Sequence, residues 1–175
     1  TRIDALEEPK LGYASNQTYA IAEVPIGARV AVLGEGAEAI GTALESRECR
    51  VVLRPGGELD AAVAACDYIL LMDLLPRVAS PEEYIARLRS FFDHRPRIVI
   101  ATTPNVAFVV PRLALLFGQF NPGRKGILDR EHRRLFTFRS LRRLLLDEGF
   151  RLRRLRGVPA PFPKALGEGV VARLL

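Results

Sequence analysis

Cysteine is scarce in this chain, with two among 175 residues, at positions 49 and 66. Their spacing matches no metal motif, and both lie beside apolar, strand-like runs, so they read as buried reduced thiols. No apolar stretch reaches the ~18 residues that a membrane span requires. The longest candidate, 106–117, is cut by Pro111 and Arg112. The chain opens at Thr1 without a charged-then-apolar leader, so the expectation is a cytoplasmic protein, or a piece of a longer one. With only two histidines, His94 and His132, the sequence offers no metal-ligand cluster and no nucleophile-plus-base spacing. What remains is the composition of an ordinary globule, 49% apolar and 26% charged, enough for one domain that buries its core without staples.

Charge is unevenly spread. Ten arginines and only three acids fall within 130–156, giving that segment a net charge of +7 against +6 for the whole chain. Such a run is commonly a solvated helix face, and it also suits an anionic partner. Aromatic residues there are few (Phe136, Phe138 and Phe150) and read as core anchors, so nucleic acid is the less favoured partner.

Hydrophobic periodicity divides the chain into a lead-in with a helix (1–27) and an α/β domain (28–175). Residues 16–24 read as a helix. Residues 29–33 read as a strand that turns on Gly34 and Gly36 into a helix over 37–46. A second strand over 50–53 stops at Pro55-Gly56-Gly57, and a short helix over 58–65 leads to 67–73, apolar on both faces like a central parallel strand. Ser80, Pro81 and Glu83 form a helix start, with Ile85, Leu88 and Phe91 expected to face inward. A strand over 97–102 comes next. A further helix is capped at Thr137, stapled by Phe136 and Leu141, and ended by Gly149. Segments 151–158 and 169–175 read as two strands. The expected fold is thus Rossmann-like α/β: a doubly wound, mostly parallel sheet of about six strands with a C-terminal antiparallel hairpin.

Together these segments resemble the class I S-adenosylmethionine-dependent methyltransferases, of the type 11/12 kind. Residues 29–41, Arg-Val-Ala-Val-Leu-Gly-Glu-Gly-Ala-Glu-Ala-Ile-Gly, align without gaps on the family's RVLDVGCGEGALG. Residues 67–73 and 98–105 are similar to its fourth and fifth strands. The block 126–137, with Ser140-Leu141 and Glu148-Gly149-Phe150 after it, is similar to a signature of small-molecule and sugar-pathway members. The resemblance implies S-adenosylmethionine as cofactor and a small-molecule or sugar-type substrate.

Several departures surround the implied cofactor site. Val32 replaces the family's acid on the first strand, and Glu38 replaces the third glycine of the loop. The second strand ends Leu53-Arg54-Pro55 rather than in the acid that holds the ribose hydroxyls, and arginine cannot serve as that acceptor. Twelve residues, 54–65, are too few for a crossover and the family's third strand. Leu74-Leu75-Pro76-Arg77 stands where relatives carry a Glu-His pair.

Each candidate residue therefore has two readings. Gly34 and Gly36 contact a cofactor, or merely make a tight strand-to-helix turn. Asp73, at the carboxyl end of a central strand, binds ligand or caps the next helix or turn. Asn105 binds at the next strand end or serves as a turn residue. His132 is the candidate base, or packs among Arg130, Arg133 and Phe136. The apolar stretch 106–120 suits a lid, a dimer face or a membrane-surface helix, with lid or interface preferred. The resemblance leads to methyl transfer in small-molecule or glycan metabolism. The departures lead to a catalytically degenerate domain serving binding, dimerisation or scaffolding, as a homodimer or within a larger parent protein.

Overall fold

The computed structural model describes residues 15–92, 95–118 and 129–158. Its centre is a four-stranded, all-parallel sheet: β1 (Arg29–Gly34), β2 (Arg50–Arg54), β3 (Tyr68–Met72) and β4 (Ile98–Ala101), in the order β2-β1-β3-β4. From β1 the chain moves outward to β2, then returns to the other side of β1 for β3 and β4. The strand order thus reverses between β1 and β3, where Val30 pairs with Tyr68 and Gly34 with Met72. In open α/β sheets a reversal of this kind leaves a crevice beyond the carboxyl ends of the strands.

Alternation along the two central strands builds a core on each face. Val30 and Val32 of β1 and Leu70 and Met72 of β3 point to one side. There they meet Ala20 and Ile21 of α1 (Asn16–Ala22) and Ile40 and Leu44 of α2 (Ala37–Glu45). Ala31, Leu33, Ile69 and Leu71 point to the other side. Their partners are Val63 of α3 (Ala61–Ala64), Ile85 and Leu88 of α4 (Pro81–Ser90), and Leu141 and Leu144 of α6 (Phe138–Asp147). Strands covered on both faces are near-continuously apolar, and each fully buried Leu, Ile or Val contributes about 1.5–3 kcal/mol.

Local chemistry sets the helix boundaries. Ser80 caps α4 by accepting from the Glu83 amide, and Pro81 occupies the first turn. Thr137 and Ser140 make a reciprocal capping box at α6, as Ser15 and Thr18 do at α1. Phe136 and Leu141, the two ends of the expected staple, are both buried. One inward position differs: Phe91 is the C-cap of α4, and its neighbour Phe92 packs against the core, edge-on to Phe150 at 6.1 Å. Cys49 and Cys66 are buried free thiols, and burial pushes the Cys66 thiol up, so it stays protonated.

The described residues hold four strands where about six were expected. No strand lies beyond β2, because the 54–65 connection is filled by one turn of helix, α3. Residues 151–158 form no strand either. Adjacent arginines at 153 and 154 break the alternation, leaving no continuous apolar face to lay on a sheet. The other arm of the expected hairpin, 169–175, lies outside the described residues. Among the described residues, no helix is long and apolar enough to cross a membrane.

Candidate functional site

At the carboxyl edge of the β1–β3 seam, the glycine turn is shaped first by packing. Gly34 has φ +98°, and a Cβ there would run into the Met72 carbonyl and lie 3.0 Å from Leu74 Cβ. The next amide, Glu35 N–H, donates to that same Met72 carbonyl at 2.8 Å. Gly36 is left-handed at φ +69° and is the N-cap of α2, where a side chain would crowd the Gln17 amide at 3.0 Å. Both glycines are thus required by backbone geometry, whatever the turn binds. Glu38 lies in the first turn of α2, is exposed, and suits the positive end of the helix dipole.

Asp73 comes directly after β3 in a left-handed conformation, φ +46°. Thr102, just past β4, holds it from two sides: its hydroxyl accepts from the Asp73 amide at 3.0 Å and donates to Oδ1 at 2.8 Å. Asn16 of α1 donates to Oδ2 at 3.1 Å. Burial pushes the Asp73 carboxyl up, opposed by the Thr102 bond first and by the Arg77 charge and the Asn16 bond.

Asn105 lies beside the same edge but is turned to local work. Its Oδ1 accepts from the Ala107 amide at 3.0 Å, and its backbone bridges in parallel to Phe136. This is the turn-residue geometry that asparagine favours. His132 is half-buried on the 129–136 segment, with its amide donating to the Asp129 carbonyl at 3.1 Å.

Arg77 ties these pieces together, a role that no sequence pattern signalled. From the loop after β3 its guanidinium pairs with Glu35 in the glycine turn at 2.6 Å, with buried Asp129 at 3.4 Å, and with Glu131. The backbone reinforces the link, since the Arg133 and Arg134 amides both donate to the Pro76 carbonyl. Arg77 thus bridges the glycine turn and the 129–131 segment. The partner acids stand more than forty positions away on either side, so no local pattern announced the contact.

The remaining space is small. An open pocket of about 260 Å³ is lined by Gly34, Gly36, Glu38, Pro55, Leu74 and Arg77, among others. Ordinary small-molecule sites occupy about 300–1,000 Å³. At its β2 side, Arg54 donates to Asp60 at 2.9 Å and to the Leu53 carbonyl at 2.7 Å, an internal ion pair that also steadies the α3 cap. Among the described residues no group of His, Cys, Asp and Glu is arranged to hold a metal ion.

No protein-family model and no curated protein matches the sequence. Solved structures do match in fold. A SAM-dependent methyltransferase of Thermotoga maritima, described as a possible histamine N-methyltransferase, superposes with a TM-score of 0.54 at 15% identity. The match covers 79% of this chain and 70% of that one. Small RNA methyltransferase HEN1 gives a TM-score of 0.57 at 14% identity over 85% of this chain, which corresponds to only 23% of HEN1. The complex of the Haloferax volcanii Trm112 methyltransferase activator with a methyltransferase gives 0.50 at 12% identity, covering 77% of this chain and 67% of that one. The fold is that of the SAM-dependent methyltransferases.

Three features of the described residues bear on how the cofactor of those enzymes would be held. β2 ends in Arg54, and the carboxylate beside that strand end, Asp60, is paired with it. Each Asp73 oxygen accepts from one protein donor, Thr102 or Asn16. Arg77 spans the space between the glycine turn and the 129–131 segment.

Proposed function

We propose that this chain is a methyltransferase-fold domain whose cofactor crevice is closed by its own side chains, and that it serves as a binding or scaffold module rather than transferring methyl groups. Arg77 carries this reading, because one guanidinium pairs with the glycine turn and with the segment opposite, where a cofactor would otherwise lie. The Arg54–Asp60 pair and the engaged Asp73 carboxylate support it independently. Calorimetric titration with S-adenosylmethionine and S-adenosylhomocysteine tests it. No binding below millimolar concentration is expected, and micromolar binding of either ligand overturns it.

A second reading is methyl transfer to a small-molecule or glycan acceptor, with S-adenosylmethionine as donor and Gly34, Gly36, Asp73 and Asn105 around it. It is favoured by Asp73 at the carboxyl end of β3, where open α/β sheets bind ligands, and takes His132 as the candidate base. Two buried polar atoms nearby, Gln17 Oε1 and Arg77 Nε, also lack partners among the described residues. Micromolar binding in the same titration would favour this reading.

A further inference from the structure

The helix after β4, α5 (Val109–Leu116), has its apolar side in solvent. Leu116 and the C-cap Phe117 are each 76% exposed, Val109 52% and Leu113 49%. Among the described residues nothing covers this aliphatic face, and such a face marks a surface that meets something else. Arg112 lies on the same helix and is also exposed.

A basic face begins beside it. The Asn105–Phe136 bridge joins the segments that lead into α5 and α6, so the two helices start from one point on the sheet edge. Around α6 and the segments flanking it, Arg133, Arg139, Arg142, Arg151 and Arg153 are exposed, and no partner for their side chains appears among the described residues. Leu135, Leu146 and Leu155, between 38% and 41% exposed, are interleaved with them.

The chemistry of the mixture selects the occupant. A single-stranded nucleic acid needs aromatic platforms on which bases stack, whereas the exposed apolar residues here are mostly leucine and valine. Binding hot spots of protein interfaces are rich in tryptophan, tyrosine and arginine and poor in leucine and valine; the arginines here suit either occupant, but the exposed apolar residues are mostly leucine and valine. Leucine, valine and phenylalanine beside arginine are what an anionic lipid surface takes, with the apolar side chains entering the acyl boundary and the guanidinium groups meeting the headgroups. We propose that α5 and the arginine-bearing face of α6 form a docking surface for an anionic bilayer, with the domain lying on the membrane rather than crossing it. None of the residues that line the pocket at the glycine turn belongs to α5 or α6, so the proposal stands whether or not the crevice takes a cofactor.

Flotation of the full chain with vesicles tests it, using phosphatidylcholine alone and phosphatidylcholine mixed with phosphatidylserine. The protein should float only with the mixed vesicles, and less so as salt is raised. The double substitution Arg139→Glu with Arg142→Glu should lower partitioning about tenfold or more. Leu116→Asn with Phe117→Asn should lower it with the charges intact. All four side chains are exposed, and circular dichroism checks that each variant is folded. Absence of the parent protein from mixed vesicles overturns the proposal, as does equal flotation with both vesicle types. Salt-sensitive binding to an RNA oligonucleotide, without flotation, also overturns it and assigns the arginines to nucleic acid.

Discussion

Arg77 and Glu35 meet at 2.6 Å across the mouth of the crevice, joining the loop after β3 to the glycine turn after β1. The same guanidinium reaches Asp129, which is only 8% exposed. The pair with Glu35 is partly solvated and contributes little to stability by itself. The Asp129 contact matters more, because a buried carboxylate deprived of its cation keeps its desolvation cost. Arg77→Met should therefore destabilise the protein by about 1–3 kcal/mol, read from urea denaturation. Glu35→Gln should cost under about 1 kcal/mol. Equal effects of the two substitutions would show that Asp129 does not depend on Arg77.

Asp73 gives a prediction with a defined sign. Burial raises its folded-state pKa above the unfolded value, so the native state holds the proton more tightly. Protonation then favours folding, and stability is lost as pH rises from the unfolded carboxyl pKa, about 3.9, through the raised folded value. Asp73→Asn removes that loss and tolerates the left-handed φ of +46°. Its amide still offers an oxygen to Thr102, and Asn16 can turn its own oxygen toward the new amide. The variant should melt higher than the parent at pH 7, with the advantage shrinking toward pH 4. A constant advantage across that range would rule out the titration as its cause.

The two glycine positions of the first strand turn were legible in the sequence, but their meaning was not. The pattern Leu33-Gly34-Glu35-Gly36 places a tight strand-to-helix junction correctly, because the backbone itself demands those residues. Whether a ligand also demands them depends on Arg77, Asp129 and Asn16, which come from distant segments and obey no periodicity. The four parallel strands and their covering helices were readable for a similar reason: buried alternation and caps are local signals. The segment 151–158 misled because leucines among arginines imitate alternation, while pairing requires a neighbouring strand that the local sequence does not reveal.

Gly34 and Gly27 separate strain from crowding. Both have positive φ, but nothing lies within 4 Å of a Cβ built on Gly27, whereas one on Gly34 meets the Met72 carbonyl and Leu74. Gly27→Ala should cost about 1–2 kcal/mol, the left-handed penalty alone. Gly34→Ala adds overpacking of about 1–3 kcal/mol or more, so it should be clearly the worse in urea denaturation. Similar costs at both positions would mean that the β1–β3 seam relaxes around the methyl group.

Glu38 stands where the family that the sequence resembles carries a glycine, so an inward-pointing side chain there would obstruct the turn. In the structure it is exposed in the first turn of α2, where its charge favours the helix dipole. Glu38→Gly should thus lose helix propensity and that charge, costing about 1 kcal/mol. If Arg77 rather than Glu38 obstructs the crevice, as proposed, S-adenosylhomocysteine binding should stay unchanged in calorimetry. Tighter binding in this variant would return the obstruction to Glu38 and weaken the case for Arg77 as the group that closes the crevice.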